Sequence, residues 1–326
     1  MRIVRHHTYG PSSVLRTEEA ERPAPGPEDV LVRAEAIGVD LADVQRRRGT
    51  FPLGAPPLPY CPVADVVGTV VAVGGRVAGL APGPRVVVPK ARDAYAEFVT
   101  APAARVLPLP AGLDPAEGTL LGSAGQAAVQ LLLTARLAAG ESVLVRAGAG
   151  TVAHLAVQAA RALGARRVVA TAGSARKLDF VRSLGADAAV DHRAPDWPAR
   201  AAAAAGPGGV DIVLDGVAGP GLLDGIRLLA PYGRLVLYGA SGGHAEQPPV
   251  PPLELMGPRH LAGFSLDALA RTRPALAAEG VRLLFGLVAD GSVRPVVYAR
   301  IPLAEAARAH DLLEQRVSMG RVVLVP

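Results

Sequence analysis

The sequence predicts an α/β protein with a doubly wound parallel sheet and a separate β-rich part. Three observations carry this. The chain has 326 residues, half of them hydrophobic, which is enough core for two domains at ~100–200 residues each. Roughly its first 120 residues hold short Val-rich runs closed by Gly or Pro. From about residue 121 apolar strand runs alternate with helically spaced segments, a series that implies parallel strands with helices on both faces.

In the β-rich part, "DVLVRAEAIGV", "VVGTVVAVGGRV", "PRVVVPK" and "YAEFVTAPAARVLPLP" read as strands. "PLGAPPLPYCP" must be loop, because proline gives a sheet no ladder donor. The alternating part opens with the strand "SVLVRA" and the helix "TVAHLAVQAARALGA". It continues through "RRVVAT", a helix opening at Ser174, "AAVDH", "VDIVLDGV", a helix over "GLLDGIRLLAPYG" and the strand "RLVLYGAS". Ala201–Ala205 is a low-complexity helix or loop. The tail gives a helix from about Pro274, a strand in "RPVVYARIPL", a helix over Ala304–Gln315 and a last strand "GRVVLVP".

Composition narrows the function. The net charge is +5, but the arginines are scattered except at Arg46–Arg48, and no aromatics interleave with them. That pattern speaks against nucleic acid as a partner and suits a polyanionic cofactor. The single cysteine, Cys61, leaves no internal disulfide and fits a reducing cytoplasm. "MRIVRHHTYG" lacks the apolar segment of a signal peptide. The most apolar run, from Leu121 to Gly140, is broken by Gln126, Gln130 and Arg136, so no membrane span is expected. His6 and His7 read as exposed strand residues.

"VLVRAGAGTVAHLAVQ" places G-A-G-T-V-A between a strand and a helix. In such a turn Gly148 permits the bend, Gly150 lets backbone approach a pyrophosphate, and Ala153 is small enough for helix–strand packing. Thr151 begins the helix, where N–H groups favour a phosphate. A dinucleotide cradle that binds NAD usually carries Asp or Glu ~20 residues on. The nineteenth residue after Ala153 is Ala172, and Ser174, Arg176 and Lys177 follow it, with Arg193 beyond the next strand. That set favours NADPH through charge-assisted hydrogen bonds.

On these motifs, together with "AIGVDLADVQRRRGTFP", "LDFVRSLGAD" and "AHDLLEQRVSMGRVVL", the chain resembles the zinc-free quinone oxidoreductase and enoyl reductase branch of the medium-chain dehydrogenase/reductase superfamily. The resemblance implies a GroES-like catalytic domain over 1–120 and 263–326, a Rossmann domain over 121–262, and a homodimer. It carries cofactor contacts to Gly150, Thr151, Val152, Ala153, Ser174 and Lys177, and beyond them to Val217, Gly239, Phe264 and Arg321. His192 stands where the family has a tyrosine near the 2′-phosphate.

No metal is expected: the zinc-dependent branch has cysteine where Asp40 stands and histidine where Ala64 stands. Asp65 is then structural. The reductases have asparagine at Asp40, tyrosines at Gln45 and Phe51, and threonine at Ala127. Hydride delivery builds charge on a carbonyl oxygen, and losing one donor there costs ~2.7–4 kcal/mol. Phe51 and Ala127 donate nothing, which leaves Gln45 and Gln126 as neutral donors and Asp40 as an acid if it holds a proton. With Tyr60 these residues form the expected substrate pocket. The reading is an NADPH-dependent reductase of a quinone or activated enone. The alternative is a redox-neutral cyclase, isomerase or dehydratase using Asp40 as acid/base, or a non-catalytic NADPH-binding protein.

Overall fold

The computed structural model describes residues 1–243 and 249–326. They form two compact units, one of Met1–Ser123 with Pro295–Pro326 and one of Ala124–Arg294.

The first unit is the β-rich one. Among the described residues its main sheet runs Val297–Pro302, Arg321–Val325, Asp29–Val39, Ala64–Val73, Arg85–Ala91 and Leu107–Pro108, with Phe98–Pro102 also paired to Asp29–Val39. Asp29–Val39 is the organising strand, antiparallel to three others. Its Val30, Val32, Ile37 and Val39 join Val66, Val70, Val99 and Val322 in one apolar core. The strand leads straight into the helix Leu41–Arg48, which Asp40 starts and Gly49 ends in the left-handed conformation, φ 73°.

Among the described residues the second unit holds a six-stranded sheet, parallel throughout, in the order Ala188–Asp191, Arg167–Ala172, Ser142–Val145, Val210–Asp215, Leu229–Leu237 and His260–Gly263. In chain order this is 3-2-1-4-5-6, the doubly wound dinucleotide-binding arrangement, whose crevice opens at the carboxyl ends of strands 1 and 4. Those two are Ser142–Val145 and Val210–Asp215.

Two boundaries differ from the sequence reading. The return to the first unit comes at Pro295 rather than 263. His260–Gly263 is the sixth parallel strand, and the Gln130 amide binds the Leu276 carbonyl, so the helices Leu266–Thr272 and Pro274–Ala289 stay with the second unit. The helix expected to run through Gly233 stops at Arg227. Leu229 and Ala230 are instead buried on the strand that follows, where apolar burial outweighs helix propensity. His6 also departs from its expected exposure: it is fully buried, edge-on to Tyr60 at 5.6 Å between ring centroids. No helix among the described residues is long and apolar enough to cross a membrane.

Candidate functional site

The glycine turn sits at the carboxyl end of Ser142–Val145. Its left-handed residue is Ala147, φ 50°, so Gly148 is not needed for the bend. Gly148 is needed for packing, since a Cβ there would lie 2.9 Å from the Ala170 Cβ. Thr171 fixes the turn from the neighbouring strand: its hydroxyl accepts from the Ala147 N–H at 3.0 Å and its carbonyl from Gly148 N–H at 2.7 Å. Gly150 is exposed, and Thr151 and Val152 are half-buried, ahead of a helix that starts at the buried Ala153. Backbone at Gly150 is thus open to a phosphate.

At the end of the second strand no carboxylate follows Ala172. Ser174 caps the helix Ala175–Ser183, its hydroxyl accepting from the Lys177 N–H at 3.3 Å. His192 lies against Gly173, whose added Cβ would meet its Nε2 at 3.0 Å. Ser174, Lys177 and His192 therefore gather at one helix start. Arg193, exposed beyond the third strand, forks onto Asp191 at 3.1 and 2.8 Å. On the fourth strand's side, Val217 N–H donates to Asp215 at 2.7 Å, and Gly239 packs so close that a Cβ would lie 2.9 Å from the Gly216 carbonyl oxygen. Phe264 N–H donates to Leu237 O at 2.9 Å. Gln126 and Ala127 are half-buried on the helix Ser123–Thr134.

In the first unit, Asp40 keeps 30% of its side-chain surface and accepts from Arg321 Nη2 at 2.7 Å. Arg321 is fully buried. Its Nη1 donates to Asp65 at 2.9 Å and to the Thr119 carbonyl at 2.6 Å. Asp65, also fully buried, accepts besides from Lys90 N–H and from the N–H and hydroxyl of Ser123. That is a structural carboxylate, in line with the sequence reading. Arg321, expected among the cofactor contacts, thus gives Nη1 and Nη2 to two carboxylates and a carbonyl.

Burial raises the Asp40 carboxyl above the ordinary range; the Arg321 charge opposes this without cancelling it, and Asp65 adds to it. Asp43, one helical turn on, accepts from Asp40 N–H at 3.0 Å and from Arg46 at 3.2 Å. Burial, then the Asp40 charge, pushes its carboxyl up to about 8. Arg46 also lies 4.3 Å from the Phe51 ring centroid, and burial raises the Tyr60 hydroxyl. Gln45 is half-buried on the same helix. Asp40, Asp43, Arg46 and Phe51 are thus linked along one short helix and the loop after it, while Gln126 and Ala127 belong to the second unit.

Residues 26–111 match the family "Alcohol dehydrogenase GroES-like domain" and residues 151–278 match "Zinc-binding dehydrogenase". The quinone oxidoreductase of Rattus norvegicus is 31% identical, over 100% of this chain and 98% of that one. The chain belongs to the quinone oxidoreductase branch of the medium-chain dehydrogenase/reductase superfamily. Among solved structures, mycobacterial Rv1454c complexed with NADPH aligns with TM-score 0.92 at 35% identity, covering both chains completely. Escherichia coli quinone oxidoreductase complexed with NADPH aligns with TM-score 0.92 at 28% identity, again over 100% of each.

Within this branch the chain carries polar residues that sequence reasoning passed over. Asp43 had a signal, since Asp-x-x-Asp at Asp40–Asp43 is a variant of the capping box. Arg146 and Asp215, a buried pair described below, had none: they are 69 residues apart and meet only because their strands are neighbours.

Proposed function

We propose that the protein is a zinc-independent, NADPH-dependent reductase of a quinone or an activated enone. The observation that carries the reading is the carboxylate-free end of the second strand, where Ser174, Lys177 and His192 gather. A carboxylate there would repel a 2′-phosphate, whereas a hydroxyl and a lysine can hold one. Gly150, Thr151 and Val152 offer backbone to the pyrophosphate, and Val217 and Gly239 line the far side of the strand crevice. NADPH, when bound, supplies a hydride. The chain's own work is to orient the acceptor and to meet the negative charge that develops on its oxygen, for which Gln45 in the first unit and Gln126 in the second are each a candidate neutral donor. The proton comes from water or from Asp40.

Zinc independence rests on residue chemistry. Ala64 has no donor atom, and a buried guanidinium stands between Asp40 and Asp65 where a dication would have to be neutralised. The redox-neutral alternative needs Asp40 as a free base, and its ion pair with Arg321 opposes that use.

We infer a cytoplasmic homodimer. The single buried cysteine fits a reducing compartment. Among the described residues His260–Gly263 is an edge strand with three of its four residues exposed, preceded in the chain by the exposed Leu253 and Met256, and such an edge is a template for pairing. Sedimentation analysis is expected to give twice the chain mass, and His260→Pro is expected to give the monomer.

The function is tested by titrating the protein with NADPH and NADH, following nicotinamide fluorescence, and then by turnover on a panel of quinones and enones. NADPH binding at least tenfold tighter than NADH, with turnover of a quinone or enone, is the expected result. Failure to bind either nucleotide ends the reading.

A further inference from the structure

Arg146 is the residue after the first strand of the parallel sheet, and Asp215 ends the fourth. The two strands are neighbours, with Val145 opposite Leu214, and the Arg146 N–H extends the ladder to the Leu214 carbonyl at 3.0 Å. Their side chains meet at the switch point of the doubly wound sheet. Arg146 Nη1 donates to Asp215 Oδ2 at 2.5 Å, with 7% of the arginine side chain and none of the aspartate exposed.

The other carboxylate oxygen of Asp215 is used as well. Its Oδ1 accepts the N–H groups of Val217 at 2.7 Å and Ala218 at 2.9 Å, which holds Ala218 in the left-handed conformation, φ 57°. Ala147, next after Arg146, is left-handed too. Non-glycine residues in that region carry strain that the surroundings must supply. The pair thus joins the first residue of the glycine turn to the loop after the fourth strand. The guanidinium is enclosed by the Trp197 ring, centroid 5.4 Å away, and by Gly221, where a Cβ would collide with it.

We propose that Arg146 and Asp215 are positioning residues for the cofactor, which hold the two loops flanking the switch-point crevice in their binding geometry before the dinucleotide arrives. Neither side chain touches the cofactor. Their effect is preorganisation: loops already ordered do not lose that freedom on binding. The proposal deepens the NADPH reading and rests on it. Because the pair lies under the crevice rather than at the 2′-phosphate end, it serves NADPH and NADH alike.

A merely structural ion pair and a positioning one part company in the double variant. Arg146→Met leaves a buried carboxylate unpaired, and Asp215→Asn leaves a buried guanidinium unpaired, so both single variants melt lower. Arg146→Met with Asp215→Asn removes both charges, and stability largely returns. The two loops are then no longer linked to each other, although the amide oxygen at position 215 still accepts from Val217 and Ala218 and the protein is sound. Each variant is followed by thermal unfolding and by fluorescence titration with NADPH and with NADH, at a temperature where it is folded.

The expected result is that the double variant melts near the wild type yet binds both nucleotides about tenfold weaker, with the NADPH/NADH preference unchanged. Affinity that returns together with stability overturns the proposal, and so does wild-type affinity in a folded single variant. If the wild type itself binds neither nucleotide, the NADPH reading has failed, an outcome seen in the wild-type titration before any variant is compared.

Discussion

Arg321 holds Asp40 and Asp65 at once, at 2.7 Å through Nη2 and 2.9 Å through Nη1, from a fully buried position. One cation therefore neutralises two carboxylates, and its loss strands both. Removing one member of a buried ionic cluster costs about 3–5 kcal/mol. Arg321→Met is expected to lose stability on that scale in urea unfolding. Asp40→Asn is milder, since the amide oxygen still accepts from Nη2 and the side chain is partly exposed.

Asp40→Asn also changes the chemistry. A carboxylate opposes an oxyanion, whereas the carboxamide can donate to it. Steady-state turnover of an enone is expected to rise in this variant, at most by the ~10²–10³ that a well-placed donor contributes. A fall in turnover would show instead that Asp40 works as the acid.

The two glycines of the turn are expected to fail differently. Gly148→Ala forces a Cβ to within 2.9 Å of Ala170 Cβ and 3.2 Å of Val181 Cγ1, an overpacking worth about 1–3 kcal/mol of stability. Gly150→Ala meets only the Ala147 carbonyl oxygen, at 3.3 Å, and keeps an exposed site. Its melting temperature should barely move while NADPH binding weakens. Thermal melts paired with fluorescence titration separate the two cases.

Lys177→Ala is a test of nucleotide choice. The lysine lies in the first turn of the helix that Ser174 caps. Losing a charged hydrogen bond of about 1.5–3 kcal/mol is expected to weaken NADPH about 10- to 150-fold and leave NADH unchanged. Equal losses for both nucleotides would place Lys177 away from the 2′-phosphate.

How legible all this was depends on whether a property is local in sequence. The alternating strand and helix runs, the glycine turn and the basic helix start after Ala172 are local patterns, and each could be read directly. The limits of the second unit were not local, because His260–Gly263 belongs there only through pairing with Leu229–Leu237. Buried ion pairs are the extreme case: Asp40 and Arg321 are 281 residues apart. Resemblance puts Arg321 among the cofactor contacts, and only the packing of two carboxylates around it reveals its ion pairs.

Stability depends on pH through buried groups of opposite sign, chiefly His310 and Asp43. His310 takes an Arg47 N–H on Nδ1 at 3.4 Å, so its proton sits on Nε2 and points to the Tyr95 hydroxyl at 3.0 Å. A second proton would face a guanidinium, and burial first, then Arg47 and His6, lower His310 from 6.5 to about 3. The unfolded chain binds that proton below 6.5 and the native state does not, so stability is lost as pH falls from 6.5 toward 3. Asp43, faced by Asp40, Arg46 and Arg321 and near Tyr60, Cys61 and Tyr95, behaves oppositely. The native state keeps its proton up to about 8 while the unfolded chain releases it near 3.8, so stability is lost as pH rises through that window. Each slope is at most ~1.4 kcal/mol per pH unit. From pH 4 to 6.5 the two offset each other, with the lowered His6 on the side of His310, and from 6.5 to 8 the carboxylate loss remains, Asp43 joined by the raised Asp40. Melting temperatures of the wild type should therefore decline above pH 6.5. In Asp43→Asn that decline should become shallower, leaving only the Asp40 share, and the rise toward pH 6.5 should steepen.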